Sequence, residues 1–236
     1  MLKLGIHVAK RTIQKYRRAA RSSTTSGPSL STFLKTHGHD IWACDFVPVV
    51  TLCFQTVYAF VIVQLESRRV VHVNATAQPT DAWAAQQLRE ATPFGLTAKH
   101  LIYDNDTKYG PQFHAAAEAC GLDIIHTPYE APRANAICER FAGSLRRECL
   151  DHVLVLGDRQ LVRVLKEYSG YFNRARPHQG LMQQTPESKQ LGQARMTPVQ
   201  RATVAPSSPT PGYSASRKLV ATPILNGLHH SYVWAT

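Results

Sequence analysis

The sequence predicts an α/β fold in which helices flank a mixed five-stranded sheet, and two observations carry that prediction. Over residues 40–183, short apolar runs and amphipathic stretches follow the order three strands, helix, strand, helix, strand, helix. The first three runs, Ile41–Val47, Val57–Leu65 and Arg69–Asn74, are separated by short turns, which predicts an antiparallel meander. The later strands alternate with helices, so the predicted sheet is mixed.

Local signals set the bounds of the predicted helices. Thr80 can cap a helix over residues 81–90, and Gly121 follows a helix that begins at Pro111. A further helix, with Asp158 as its N-cap, extends to about Asn173 and carries one apolar stripe. The members of that stripe, which predict core packing, are Leu161, Leu165, Tyr168 and Phe172.

The first strand carries a carboxylate in an unusual place. In extended backbone Trp42, Cys44 and Phe46 point to one face, and Asp45 points to the other, which is otherwise apolar. A buried carboxylate without a partner costs several kcal/mol. Asp45 is therefore predicted either to bind a cation or to form a salt bridge with a neighbouring arginine.

Two further acids stand beside predicted secondary structure. Asp104 follows the strand Lys99–Tyr103 and lies 59 positions after Asp45, and Glu139 lies a further 35 positions along, inside an amphipathic helix. Hard cations such as Mg²⁺ prefer carboxylate oxygens. The sequence predicts that these three acids form a metal site. Asp106 is the alternative to Asp104, and an exposed helix acid is the alternative reading of Glu139.

The Glu139 helix has two distinct faces. The polar face, which would meet the site, contains Asn135, Glu139, Gly143 and Arg146. The opposite face, which would pack on the core, contains Ile137, Phe141 and Leu145, with Cys138 and Cys149 near its edge.

Composition favours a polyanionic partner. The 236 residues carry a net charge of +11, and the first 21 residues contain seven of the basic residues and no acid. The five cysteines form no CxxC pair, which favours a reducing compartment. The longest apolar run, Val57–Val63, is too short to cross a bilayer, so we expect a cytoplasmic protein with no membrane partner.

The ends of the chain differ in composition from the core. Residues 1–21 predict a basic helix that resembles the recognition helix of a helix-turn-helix, and because the chain begins at Met1 this helix is expected to be a remnant. A frayed helix that only touches phosphates is the alternative. Residues 22–39 form a predicted linker, residues 40–183 the predicted core domain, and residues 184–236 a Pro- and Ser-rich tail that ends in a short strand pair.

Four stretches around the acids resemble a known family. They are Asp104-Asn-Asp-Thr-Lys-Tyr-Gly110, Pro132-Arg-Ala-Asn-Ala-Ile-Cys-Glu-Arg-Phe141, Arg147-Glu-Cys-Leu-Asp151 and Tyr171-Phe-Asn-Arg-Ala-Arg-Pro-His-Gln-Gly-Leu181. Together with Asp45, they resemble the integrase core of the DDE superfamily of retroviral integrases and bacterial insertion-sequence transposases. The resemblance covers about residues 40–181, and the predicted element order is that of the ribonuclease-H-like fold of this superfamily.

The resemblance implies a function, a cofactor and partners. We expect metal-dependent DNA cleavage and strand transfer, with Asp45, Asp104 and Glu139 as catalytic residues and ligands of two Mg²⁺ ions, for which Mn²⁺ could substitute. The expected partner is double-stranded DNA, at element ends and target, bound by a homo-oligomer associated with a bacterial nucleoid. The candidate DNA-binding residues are Lys10, Arg11, Lys15, Arg17, Arg18, Lys108, Arg133, Asn135, Arg140, Arg146 and Arg147.

Other interpretations remain open at the level of sequence. A nuclease of the same fold would cut DNA without joining it, and a catalytically silent remnant would only bind DNA. His178 is expected to cap or pack rather than to touch substrate or metal. The pair His37 and His39 lies near Cys44, but the CxxC of the integrase zinc module is missing, so zinc is not expected.

Overall fold

A computed structural model describes residues 32, 34, 36–93, 98–104, 107–126, 136–188 and 218–235. All the elements that follow belong to the second of two compact units, Leu34–Thr236. The predicted basic helix over residues 1–21 lies outside the described residues, as does most of the predicted tail before the terminal strands.

The predicted mixed sheet of five strands is confirmed. Its strands are β1 (Ile41–Val50), β2 (Thr56–Gln64), β3 (Val70–Thr76), β4 (His100–Tyr103) and β5 (Asp123–His126). They lie in the order β3-β2-β1-β4-β5. The pairs β1–β2 and β2–β3 are antiparallel, whereas β1–β4 and β4–β5 are parallel. The parallel pairs are the ones whose strands are joined through helices, as parallel connections require.

Within residues 81–174, as far as they are described, the α-helices that flank this sheet are α1 (Asp81–Ala91), α2 (Pro111–Ala119), α3 (Ala136–Glu148) and α4 (Asp158–Arg174). Short 3₁₀ segments occur at Gly38–Asp40, Leu150–His152 and Gln179–Leu181. The predicted order of strands and helices is therefore confirmed. No helix within the described ranges is both long enough and apolar enough to span a bilayer.

The helix ends follow their capping residues, with one correction. The Thr80 hydroxyl accepts a hydrogen bond from the Trp83 amide at 3.2 Å, as predicted. Gly121 has φ +72° just after α2, a left-handed conformation that glycine adopts without strain. The predicted N-cap of α4 is wrong by one position, because Gly157 occupies it and Asp158 is the first helical residue.

The two faces of the sheet are covered by different helices. Trp42, Cys44 and Phe46 pack with Leu88 of α1 and Phe113 of α2 in one buried cluster. On the opposite face, α3 contacts β1 and β2, and α4 contacts β3. Burial of each large side chain in these layers contributes about 1.5–3 kcal/mol to the free energy of folding. Since Trp42, Cys44 and Phe46 face α1 and α2, the alternation along β1 turns Asp45 toward the side on which α3 lies.

Aromatic and amide contacts join α3 and α4 to the sheet and to each other. The rings of Phe141 and Phe172 meet edge to face at 5.0 Å. Asn173 makes two hydrogen bonds with the backbone of Val70, accepting from its N–H at 2.9 Å and donating to its carbonyl at 2.8 Å. These bonds fix the C-terminal end of α4 against the start of β3.

A separate antiparallel pair, β6 (Lys218–Ile224) and β7 (His229–Ala235), lies near the end of the chain. The His229 ring stacks on Tyr171 of α4, with ring centroids 4.3 Å apart. Its Nε2 donates to the carbonyl oxygen of Glu148 at 2.8 Å. The hairpin is thereby attached to the helices of the core.

Candidate active site

The pairing of β1 with β4 brings two of the predicted acids to the same level of the sheet. Ile41 pairs with His100, Trp42 with Leu101 and Ala43 with Ile102, a constant offset of 59 residues. Asp45 and Asp104 differ by the same 59 positions, and each stands two residues beyond the last pair. Neighbouring positions of paired parallel strands share a face of the sheet. If this register continued for two more residues, it would set Asp104 beside Asp45.

Asp45 is half-buried, whereas Asp104 is exposed at the end of β4. The Asp45 Oδ1 accepts a hydrogen bond from the backbone N–H of Phe46 at 2.7 Å. Burial raises the pKa of the neighbouring Cys44 thiol, and the negative charge of Asp45 raises it further. Cys44 is thus a protonated core residue, as its place in the apolar cluster requires.

Glu139 reaches the same region from the first turn of α3. Its side chain is exposed, while Cys138 beside it is fully buried. Burial raises the pKa of the Cys138 thiol, and nearby negative charges that include Asp45 and Glu139 raise it further. The charges of both carboxylates thus act on the pKa of the same thiol. The helix that carries Glu139 contacts β1 and β2.

The loop that follows Asp104 is fixed at its far end by Asp81, the first residue of α1. The Asp81 carboxylate accepts backbone N–H bonds from Gly110 at 2.9 Å, Gln112 at 2.8 Å and Phe113 at 2.8 Å. Burial alone raises the pKa of Asp81, but these three donors outweigh it and hold the pKa below its ordinary value. Asp81 therefore caps α2 from another helix, a role that no local signal in the sequence shows.

Gly110 allows this capping contact to form. A Cβ atom at Gly110 would lie 2.6 Å from Oδ2 of Asp81, closer than such atoms approach. The position therefore excludes a side chain because a carboxylate occupies the space.

Lys108, two residues earlier, places its ammonium 5.6 Å from the centre of the Phe46 ring and 5.2 Å from that of Tyr58.

The donor set of the three acids suits a hard divalent cation, since all its ligand atoms would be carboxylate oxygens. In the part of the chain that the structure describes, no three His, Cys, Asp or Glu side chains are arranged closely enough to hold a metal ion. Asp106, the alternative to Asp104, lies outside the described residues. The structure brings β1, β4 and α3 together. The acids that these elements carry do not form a complete metal-coordination shell within the described residues.

A cavity of about 850 Å³ opens beside Glu139. Among the predicted DNA-binding residues, Arg140 and Arg147 line it, together with Gly143 from the predicted polar face of the helix. Arg146 does not line it, because its Nη2 donates to the carbonyl oxygen of Pro48 at 3.3 Å. Lys108 does not line it either, and its ammonium lies over the Phe46 and Tyr58 rings. The other predicted DNA contacts lie outside the described residues: Lys10, Arg11, Lys15, Arg17, Arg18, Arg133 and Asn135.

The far wall of the cavity is built by the segment Arg176–Gly180. The buried His178 ring lies edge to face against Phe172 at 4.5 Å, and its Nε2 donates to the Phe172 carbonyl oxygen at 3.4 Å. Burial lowers the pKa of His178, and the positive charges of Arg176 and Arg68 lower it further. His178 thus packs as a neutral ring, as the sequence favoured.

An ion pair at the end of α3 supports this wall. Glu148 accepts hydrogen bonds from Nε of Arg176 at 2.7 Å and Nη2 of Arg176 at 2.5 Å. The Tyr168 hydroxyl donates to the same carboxylate at 3.0 Å. Both charged residues lie in stretches that resemble the integrase core, Arg147–Asp151 and Tyr171–Leu181, but no local pattern pairs them, because 28 positions separate them.

The chain matches the family model of the integrase core domain over residues 120–186. It is also 24% identical over 169 residues to an uncharacterized 39.2 kDa protein of insertion element IS476 from Xanthomonas euvesicatoria. That alignment covers 70% of this chain and 48% of the relative. The chain therefore spans about half the length of this relative.

Solved structures share the fold. The simian T-cell lymphotropic virus intasome, solved in complex with the PP2A regulatory subunit B56 gamma, matches with a TM-score of 0.53 and 19% identity, covering 84% of this chain and 67% of that chain. The HTLV-2 integrase catalytic core domain in complex with magnesium matches with a TM-score of 0.52 and 14% identity, covering 64% of this chain and 95% of that chain. The family model, the insertion-element relative and the fold agree, so the predicted resemblance of this chain to DDE-type integrases and transposases is confirmed.

Proposed function

We propose that this chain is a transposase that cleaves DNA and transfers the freed strand to a target, with Asp45, Asp104 and Glu139 as its catalytic carboxylates. The shared offset of 59 residues carries this proposal, because the register of β1 and β4 and the spacing of the two aspartates agree. The position of Glu139 on the helix over the same face supports it.

The three carboxylates would hold two divalent cations, Mg²⁺ or Mn²⁺, since hard cations prefer carboxylate oxygens. Bound cations supply positive charge that stabilises the phosphoryl group and both of its reacting oxygens. The backbone N–H of Phe46 donates to Oδ1 of Asp45 and so orients the carboxylate that would bind a cation. Asp81 fixes Gly110 and the start of α2, where the loop that begins at Asp104 ends.

The proposed reaction has two steps that each make and break one phosphorus–oxygen bond. Water first attacks a phosphodiester at an element end, and the leaving 3′ oxygen takes up a proton. The resulting 3′-hydroxyl then attacks a phosphodiester of target DNA, forming one new ester as the target ester breaks. Because the second step exchanges one ester for another, it needs no external energy source.

The partners follow from this reaction. Joining an element to a target requires two double-stranded DNA segments at one site, and joining both ends requires two active sites. We therefore infer that the chain works as a homo-oligomer on DNA. The basic arm with Lys10, Arg11, Lys15, Arg17 and Arg18 is proposed to add phosphate contacts, which a band shift without residues 1–21 would test. Unchanged affinity in that experiment would remove the arm from the proposal.

Labelled duplex DNA incubated with the full chain in Mg²⁺ or Mn²⁺ tests the catalytic proposal. We expect both shortened strands and strands joined to target, and we expect neither from Asp104→Asn. Cleavage without joining would identify a nuclease of the same fold, and binding without either product would identify a silent remnant. Equal products from Asp104→Asn would show that the carboxylate set is assigned wrongly.

A further inference from the structure

We propose that the cavity beside Glu139 is a binding site for a DNA backbone phosphate, and that Arg68 and Arg140 are the residues that hold it. This inference rests on the proposed function, since the strand would be one that also passes Glu139. It adds a residue, Arg68, that belongs to none of the motifs around the acids and that lies in the turn between β2 and β3.

The charge of the cavity calls for an anion. Among the described residues that line it, one carboxylate, that of Glu139, faces four arginines: Arg68, Arg140, Arg147 and Arg176. The charge of Arg176 is met by Glu148. No ion pair joins the other three to an acid in the described part of the chain. A phosphate would complete the charge balance, and arginine forks match its oxygens.

Arg68 and Arg140 approach the cavity from different elements of the fold. Burial lowers the pKa of Arg68, and the like charge of Arg140 lowers it further, so the two guanidinium groups act on each other. Both remain protonated at neutral pH, because an arginine pKa lies far above it. An anion bound between them would turn this repulsion into two attractive contacts.

The fold makes room for the Arg68 side chain in particular. A Cβ atom at Gly180 would lie 2.7 Å from Cζ of Arg68 and would overlap its guanidinium nitrogens. Gly180 belongs to the segment Gln179–Leu181, far from Arg68 in sequence. Because Gly180 has no side chain, it leaves space for the guanidinium of Arg68 at the cavity wall.

The backbone at Arg68 also favours a role for its side chain. Its φ is +62°, a left-handed conformation that costs an arginine about 1–2 kcal/mol and that asparagine or glycine adopts more easily. The turn thus contains an arginine, which fits its backbone poorly, at the position from which the guanidinium reaches the cavity. The positive φ also makes Arg68→Asn a suitable variant, because asparagine removes the charge and adopts this backbone conformation more easily.

The size of the cavity fits this ligand. About 850 Å³ is in the range of small-molecule sites and accommodates a nucleotide unit of a strand. Its lining offers amide and hydroxyl groups from Gln179, Gln183 and Ser144 beside the arginines. Such groups bind phosphate and sugar without reading sequence.

The test measures DNA binding in EDTA, so that it does not depend on metal or catalysis. Fluorescence anisotropy of a labelled duplex is recorded against salt for the wild-type chain, Arg68→Asn, Gly180→Ala and the control Arg163→Gln, which removes an exposed charge outside the cavity. We expect Arg68→Asn to weaken binding about 3- to 10-fold and to lower the slope of log affinity against log salt by about one. Gly180→Ala, which displaces the guanidinium without changing the charge, should weaken binding in the same direction.

Binding by Arg68→Asn and Gly180→Ala that equals that of Arg163→Gln, in affinity and in salt slope, would overturn the inference. A second arm separates free phosphate from DNA. If inorganic phosphate raises the thermal midpoint of the wild type but not of Arg68→Asn, while DNA affinity is unchanged, the cavity holds free phosphate and the DNA assignment is wrong. Cleavage by the wild type is scored separately, so a loss of binding in Arg68→Asn stands even if no cleavage is found.

Discussion

Two glutamates of the same helix, Glu139 and Glu148, show how differently this molecule uses its carboxylates. Glu148 is half-buried and accepts hydrogen bonds from Arg176 and Tyr168, so its charge is neutralised within the fold. Glu139 is exposed in the first turn of α3 and borders the arginine-lined cavity. An acid that is fully engaged by its own fold stabilises that fold. An acid presented at a cavity is available to a ligand.

Exchange of Glu139 for Gln should have the largest effect on activity and almost none on stability. Losing a metal ligand removes several kcal/mol of charge stabilisation, so we expect DNA cleavage to fall by about 10³-fold or more. The free energy of unfolding should change by less than about 0.5 kcal/mol, as for other surface substitutions. Single-turnover cleavage and urea titration measure the two quantities. A Glu139→Gln protein that cleaves normally would contradict the proposed role.

Exchange of Glu148 for Gln should have the reverse effect. It leaves the partly buried guanidinium of Arg176 without its counter-charge, which costs about 1–3 kcal/mol of unfolding free energy. Urea titration checks this value against Glu118→Gln, which alters an exposed glutamate on α2. If both variants unfold at the same urea concentration, the ion pair does not hold the end of α3 in place.

Exchange of Asp81 for Ala tests a third carboxylate, one that stabilises a loop next to the proposed site. Removing three accepted backbone hydrogen bonds from the start of α2 should cost about 1–2 kcal/mol, as for other helix caps. Because the capped segment ends the loop that begins at Asp104, cleavage should fall by more than the loss of folded protein explains. Thermal unfolding and cleavage by the fraction still folded separate these effects. Full activity per folded molecule would show that the loop needs no anchor.

The smallest expected effect is on the pH dependence of stability. Burial tends to raise the pKa of Glu148, but hydrogen bonds and charge from Arg176 outweigh it and lower the pKa below 4.5. The stability from this group is therefore complete above about pH 4.5 and is lost as pH falls below 4.5 through the lower folded value. The wild type should lose unfolding free energy in this range, and Glu148→Gln should lose less. Parallel pH profiles of the two proteins would contradict the assignment.

Local sequence patterns fixed much of the fold. Alternation along β1 separated Asp45 from Trp42, Cys44 and Phe46, and the structure places those three in the cluster with α1 and α2. Periodicity along α3 likewise placed Phe141 and Leu145 in the core. The N-cap of α4 was wrong by one residue because Asp158 and Gly157 both suit a helix start.

By itself, the sequence determined the order of the elements, the side of each that is buried, and three acids at defined spacings. Only the tertiary structure decided that the 59-residue spacing matches the register of β1 and β4, that Asp81 caps α2, and that Gly180 receives the guanidinium of Arg68. The physical reason is that periodicity reports which side of an element is apolar. It carries no information about which distant element packs against that side, and the sites of this protein are formed by such distant pairs.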